Sequence, residues 1–227
     1  MLSCASREQF NLKDKETLRL NKIGADYGTA IRVKFTCFLV SCRFNCNMLA
    51  SHPSSPSVKK IAVVGPECTG KTDLSKYLAS SFKTEWVPEY ARAYINKLNR
   101  PYDQNDLTKI AHGQLRVEDE WMQTANRVLI CDTNLIVLKV WSEEKFGNTD
   151  PEIITTMNNR HYDLLLLTNI DIPWEEDPQR EHPDKREYFW NIYKKEAVAS
   201  KIPTVEISGD RETRRRTAVE AIQNILV

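Results

Sequence analysis

The stretch "GPECTGKT", Gly65 to Thr72, lies between the apolar run "IAVV" and the helix-like "DLSKYLASSF". Gly65, Gly70, Lys71 and Thr72 fit the spacing G-x-x-x-x-G-K-[ST], in which loop N–H groups and a helix N-terminus cradle phosphate. Gly65, Pro66, Glu67, Cys68, Thr69 and Gly70 would then wrap a nucleotide's phosphates. Lys71 would reach the β- and γ-phosphates, and the Thr72 hydroxyl would ligate Mg²⁺. A fortuitous glycine turn is the plain alternative, but the loop comes in the required setting, strand before and helix after. Hydrolysis, a conformational switch and transfer to a second molecule all begin with such a loop, so other residues must decide among them.

Asp132 follows the apolar run "VLIC", where a carboxylate could hold the magnesium shell. An acid there could equally cap a helix, and "DTNL" would serve. In "PEYAR", Glu89 and Arg92 are three residues apart and would share a helix face, either serving an acceptor hydroxyl or forming a surface ion pair. The run "TNIDIPWEEDPQREHPDKRE" is dense in charge; Trp174 in it suggests a stacking surface, and Arg180 could close over transferring phosphates. No His is spaced from Ser, Cys or acids as a catalytic triad or zinc site requires, and a metal other than Mg²⁺ is not indicated.

These residues need a scaffold, and the chain from Lys59 onward alternates short apolar runs with longer helical patterns, as β-α units around a parallel sheet do. Strands are predicted at 59–64, 84–88, 127–131, 162–167 and 202–207, and helices at 71–82, 90–98, 104–125, 134–146, 151–159, 184–199 and 211–226. Such sheets bind ligands beyond the carboxyl ends of their strands, where the residues above fall.

The first 58 residues carry no sustained period, end in the Ser/Pro-rich "SHPSSPSV", and are expected to be an appendage or a mis-assigned gene start, with Met48 a natural alternative beginning. A zinc site from Cys37, Cys42, Cys46 and His52 lacks the close C-x-x-C pair. The chain's 227 residues carry a net charge of +1, the basic excess falls in the first 58, and the remainder is slightly acidic, which leaves no electrostatic footprint for nucleic acid. Six cysteines in a chain of this size do not suggest a disulfide scaffold, so a reducing, cytoplasmic setting is expected. The apolar run "FTCFLVSC" is too short to span a membrane.

A regulatory GTPase would carry D-x-x-G and a guanine-reading N/T-K-x-D element. Here Asp132 is followed by "TNL", and "TNID" keeps Thr168 and Asp171 but has Asn169 where Lys belongs. The blocks "KKIAVVGPECTGKTDLSKYLA", "VPEYAR", "CDTN", "YDLLLLTNIDIPWEEDPQRE" and "VEISGDRETRRRTAVEAI" resemble the NadR-type P-loop kinase domain, over about residues 59–227. The resemblance implies an α/β P-loop NTPase fold: a five-stranded parallel sheet flanked by helices, nucleoside-kinase-like, with a lid after the fourth strand. It implies phosphorylation of nicotinamide riboside or a similar nucleoside, with ATP as donor and Mg²⁺ as cofactor. Lys71, Thr72 and Asp132 would handle ATP and metal; Glu89, Tyr90, Arg92, Asp132, Trp174 and Asp177 would serve the acceptor, and Arg180 the lid. Glu89 is the first choice for the group taking the hydroxyl proton and Asp132 the second. The usual loop reads GPESTGK and the usual acid block DTD, so Cys68 and Asn134 depart from the pattern, and Cys68 is expected to be a reactive thiol. Related domains in GTP-binding proteins keep a regulatory NTPase without small-molecule kinase activity as the alternative.

Overall fold

In a computed structural model, residues 57–227 are described; the four-residue zinc reading and nearly all of the expected appendage lie outside them. Five strands, β1 (Lys59–Val64), β2 (Trp86–Val87), β3 (Val128–Asp132), β4 (Leu164–Thr168) and β5 (Thr204–Ile207), form one parallel sheet in the order β2-β3-β1-β4-β5. The helices are α1 (Lys71–Phe82), α2 (Tyr90–Ile95), α3 (Gln104–Met122), α4 (Leu135–Phe146), α5 (Pro151–Asn159), α6 (Arg186–Ser200) and α7 (Arg211–Ile225).

The central strands are apolar on both faces because both are covered. Ile61, Val63, Val128, Ile130, Leu164 and Leu166 pack with Leu74 and Leu78 of α1 and Ala218 and Ile222 of α7. Their alternates, among them Ala62, Val64, Leu129, Cys131, Leu165 and Leu167, meet Ile136 and Val140 of α4 and Phe189 and Tyr193 of α6. Each such large side chain removed from water contributes roughly 1.5–3 kcal/mol before chain entropy is counted. A third cluster of Ala91, Leu107, Ile110, Leu135 and Ile153 fixes α2 and α3 on α4 and α5.

Most expected elements form, with their ends moved by local chemistry. The second strand shrinks to two residues at the sheet edge, paired with β3 alone. α2 stops at Ile95 and not at 98, and α3 stops at Met122 and not at 125, before the positive φ of Arg127 that turns the chain into β3. The helix expected from 184 begins as a short 3-10 turn, Pro183–Lys185, and α6 follows it. Asp132 closes β3 from within the strand, one residue later than expected.

α2 is held close to α3 by a missing side chain. A Cβ on Gly113 would lie 2.1 Å from the Tyr90 ring, and the Tyr90 N–H donates to the buried Gln114 Oε1 at 2.9 Å. Gly113→Ala gains about 1 kcal/mol of helix propensity. The overpacked ring costs more, so the expected net destabilisation is about 1–2 kcal/mol. Urea denaturation checks this, and adding Tyr90→Ala should abolish the penalty of the alanine at 113.

Candidate active site

The order β3-β1-β4 sets the carboxyl ends of three strands side by side, so the loop after β1 lies between Asp132 and Thr168. Residues 65–70 run from β1 into α1, with Gly70 as N-cap at φ 76°. Gly65 takes φ 142°, and a Cβ there would lie 2.5 Å from Thr168 Oγ1. The Thr69 and Thr168 hydroxyls are 2.7 Å apart and between them reach the carbonyls of Pro66 and Val64. Lys71 folds back over the loop, its Nζ donating to Gly65 O at 3.0 Å and Pro66 O at 2.7 Å. Burial pushes its pKa down against the pull of Glu89, Asp132 and Glu67.

Thr72 Oγ1 donates to Asp132 Oδ2 at 2.6 Å, while the buried Asp132 Oδ1 has no hydrogen-bond partner. The capping alternative falls to a neighbour: Asn134 Oδ1 accepts the Ile136 N–H at 3.0 Å and starts α4, with Thr133 at φ 75° between the two. Asp132 is therefore not engaged in capping, and burial raises its carboxyl pKa although Thr72 and Lys71 oppose this. An unpartnered oxygen beside a threonine hydroxyl fits a divalent cation of the hard, oxygen-preferring kind. Among the described residues no group of three or more His, Cys, Asp or Glu could hold a metal, so such an ion would draw its other ligands from phosphate and water.

A cleft of about 540 Å³ opens from this loop. On one side its walls are Glu89, Arg92, Val137, Trp141 and Tyr193, from the start of α2 and from α4 and α6. On the other they are Asp73, Ile172, Pro173, Arg211, Arg214 and Arg215. A second chamber of about 250 Å³ shares Glu67, Trp141, Gln179 and Tyr193 with the cleft and takes in Pro66, Tyr102, His182 and Phe189. Glu89 is the N-cap of α2 and makes no capping bond, and burial raises its carboxyl pKa, with Lys71 and Arg92 opposing.

Several expected positions are used differently. Glu89 and Arg92 do not pair with each other: Arg92 Nη1 donates to Asp177 at 2.9 Å, which fastens α2 to the segment after β4. Asp177, held below the usual carboxylate range by the Gln179 N–H and Arg92, does not line the cleft. Tyr90 faces Gly113, and Trp174 gives its indole N–H to Glu176 and lies under the Arg180 guanidinium, so neither lines the cleft. Arg180 does line it, but its guanidinium donates to Glu175 O and to Cys68 Sγ. The Cys68 thiol is not open to reagents as expected. At 9% exposure its sulfur also accepts the Glu175 N–H at 3.0 Å. Glu67 Oε2 accepts the N–H groups of Glu181 and His182 at 3.0 and 3.3 Å, so residues 173–186 are sewn to the phosphate loop.

Trp141, Tyr193 and the arginines of α7 had no signal in sequence. Trp141 follows the apolar run Leu135–Leu138 of α4, Tyr193 lies on the buried side of α6 with Phe189 and Ala197, and both read as core, while Arg214 lies in an Arg run that reads as a solvated face.

A parallel sheet in this order, with a phosphate loop after its central strand and an acid closing the next, defines a P-loop NTPase fold. The chain belongs to the family described as an AAA domain, which matches residues 60–214, and its described residues form a P-loop domain of the kind found in NadR proteins. It is 26% identical to the trifunctional NAD biosynthesis/regulator protein NadR of Escherichia coli strain K12, over 74% of this chain and 43% of that protein. The Salmonella typhimurium counterpart is 25% identical with the same coverage, so the chain spans less than half the length of these relatives. Among solved structures, NadR in complex with NR superposes with a TM-score of 0.65 at 24% identity, over 75% of this chain and 51% of that one. Thymidylate kinase from Ehrlichia chaffeensis gives 0.50 at 15% identity, over 75% of this chain and 100% of that one.

Because the folded-state pKa of Glu89 lies above its ordinary 4.5, the ionised carboxylate destabilises the fold. The penalty is complete above the folded pKa and vanishes below the unfolded value. Glu89→Gln should therefore raise the thermal midpoint at neutral pH, and the gain should fade as pH drops through the carboxyl range. Melting curves across pH check this; a gain independent of pH would mean that Glu89 is not strained by its charge.

Proposed function

We propose that this chain transfers the γ-phosphoryl group of ATP to the 5′-hydroxyl of a nucleoside, nicotinamide riboside in the first place. The carrying observation is that the cleft, walled beyond the phosphate loop by Glu89, Trp141 and Tyr193, continues into a second chamber that shares Trp141 and Tyr193 with it. A protein that holds only a nucleotide has no use for that space, whereas a kinase needs it for an acceptor. The relatives bear on the acceptor's identity: two are named for NAD biosynthesis, and the NadR structures hold NR, or NAD with AMP-PNP.

In this reading the backbone of residues 65–70 and the N-terminus of α1 receive the donor's phosphates. Lys71, whose Nζ rests on the carbonyls of Gly65 and Pro66, turns its charge to the β- and γ-oxygens. Thr72 and Asp132 would hold Mg²⁺, which supplies neutralisation of phosphate charge when bound. Glu89 accepts the hydroxyl proton as the new O–P bond forms and the bond to the leaving ADP oxygen breaks. Its raised pKa makes it a stronger base than a solvated carboxylate. Trp141 and Tyr193 offer flat surfaces to the acceptor's ring, the role first expected of Trp174. Arg180 is the cation that seating of the 173–186 segment would deliver to the phosphates. Most of the rate would come from alignment and fixed charge.

With Mg-ATP and a panel of nucleosides, nicotinamide riboside should yield its mononucleotide one-for-one with ADP. Lys71→Ala and Asp132→Ala should abolish transfer while leaving the fold intact. Glu89→Gln should keep ATP binding and lose roughly 10²–10⁴-fold in turnover. If no nucleoside is phosphorylated and GTP binds in preference to ATP, the chain is a regulatory nucleotide-binding protein and not a kinase.

A further inference from the structure

Arg214, in the first turn of α7, is 6% exposed although it lies in the run "RETRRR". Its guanidinium does not reach water; it reaches three loops. Nη1 donates to Thr69 O at 2.8 Å, in the loop after β1. Nη2 donates to Asn169 O at 2.7 Å, after β4, and Nε to Gly209 O at 3.1 Å, after β5. Nη2 also pairs with Asp171 Oδ1, and Asp171 Oδ2 accepts the Gly209 N–H. One arginine and one carboxylate thus tie together the ends of β1, β4 and β5. The same loops line the cleft through Gly70 and Ile172, close enough that a Cβ on Gly70 would lie 3.5 Å from Ile172 Cδ1.

We infer that Arg214, locked by Asp171, is the positioning residue of the donor end of the cleft, and that Asp171 is consumed in that lock and does not read a guanine base. The inference rests on the reading of the cleft as a donor-nucleotide site. Shifting Arg214 moves the Thr69 carbonyl, and with it the backbone that would cradle phosphate, relative to Ile172 and Pro173 on the far wall. Removing the carboxylate leaves a buried guanidinium without its counter-charge, which is costly because desolvation is no longer offset. Guanine needs an acceptor facing two adjacent N–H donors, whereas the Asp171 oxygens are aimed at the Gly209 N–H and the Arg214 guanidinium, and a base would have to share both of them. Adenine presents no such pair of donors, so this arrangement costs it nothing.

The test is titration of the full chain, without acceptor, with the Mg²⁺ complexes of non-hydrolysable ATP, GTP and XTP analogues, and separately with nicotinamide riboside. Asp171→Asn keeps the shape of the side chain. It should weaken the ATP analogue about tenfold, weaken the GTP analogue by the same factor, and bring no gain for the XTP analogue. Acceptor affinity should not change. Arg214→Met should weaken the ATP analogue further, and Arg214→Lys should recover part of the loss, which separates a specific lock from general loosening. Two results overturn the inference: an Asp171→Asn variant that loses the GTP analogue selectively and gains the XTP analogue, or one that binds the ATP analogue as tightly as the unaltered chain. Failure of the unaltered chain to phosphorylate any nucleoside would count against the kinase reading while leaving these affinities as the measure of Arg214.

Discussion

Gly65 lies so near Thr168 that a single added carbon would clash with both the hydroxyl and the carbonyl of Thr168. That contact lets the phosphate loop lie directly over the end of β4, and it requires glycine twice over, for the space and for the positive φ. The strand order makes it available, since β1 has β3 on one side and β4 on the other. The same loop is then within reach of Asp132 through Thr72, of Thr168 through Thr69, and of the segment after β4 through Glu67 and Cys68. Widening the gap at position 65 would loosen all of these together.

The cluster this builds is unfavourable to the fold. Burial lowers the pKa of Lys71 and raises those of Glu89 and Asp132, so in each case the fold disfavours the charged form. Mutual attraction of the opposite charges returns part of that cost, as the opposing influences of Lys71 on both acids indicate. Charges held in a poorly solvated place interact strongly with whatever enters, which suits a site that must stabilise phosphate charge. The stability lost here is made up elsewhere, by strands packed on both faces and by bonds such as those that the half-exposed Arg100 and Tyr94 make to the buried Asp106 carboxylate. That network holds the Asp106 carboxyl well below its usual range, with the Arg100 bond as the main cause.

The parts legible in sequence were those in which a local pattern carries the physics. The phosphate loop needs glycines at fixed offsets, parallel strands read as apolar runs, and an acid at a strand end stands out against them. The walls formed by Trp141, Tyr193 and Arg214 were not legible, because the two aromatics lie among apolar neighbours that read as core and the arginine lies in a basic run that reads as solvated surface. Arg214 in particular looks like its exposed neighbour Arg216 until α7 is laid against the sheet. The opposite error concerned Tyr90, Trp174 and Asp177, which stand beside the right residues in the chain. Neighbours in a loop or on a short helix point in different directions, and Tyr90 is turned to Gly113 while Glu89 next to it faces the cleft.

The charged segment after β4 acquires meaning from where its bonds go. Toward the phosphate loop it is held by Glu67 and by the Cys68 sulfur; toward α2 it is held by Arg92 to Asp177 and by Gln179 to Asn96 at 2.6 Å. It therefore spans the cleft with one set of attachments on each wall. Exposed ion pairs such as Arg92 with Asp177 are individually weak, about 0–1 kcal/mol, so either set can open without unfolding the domain. A ligand that engaged Arg92 would compete with Asp177, and one that drew Arg180 into the cleft would take it from Cys68 and Glu175. Occupancy of either half of the cleft would then be coupled to the seating of one segment, because these bonds could not all be kept at once. Cys68 suits this arrangement in a specific way: sulfur accepts hydrogen bonds more weakly than oxygen, so the clasp it makes on Glu175 and Arg180 is one that phosphate oxygens can outbid.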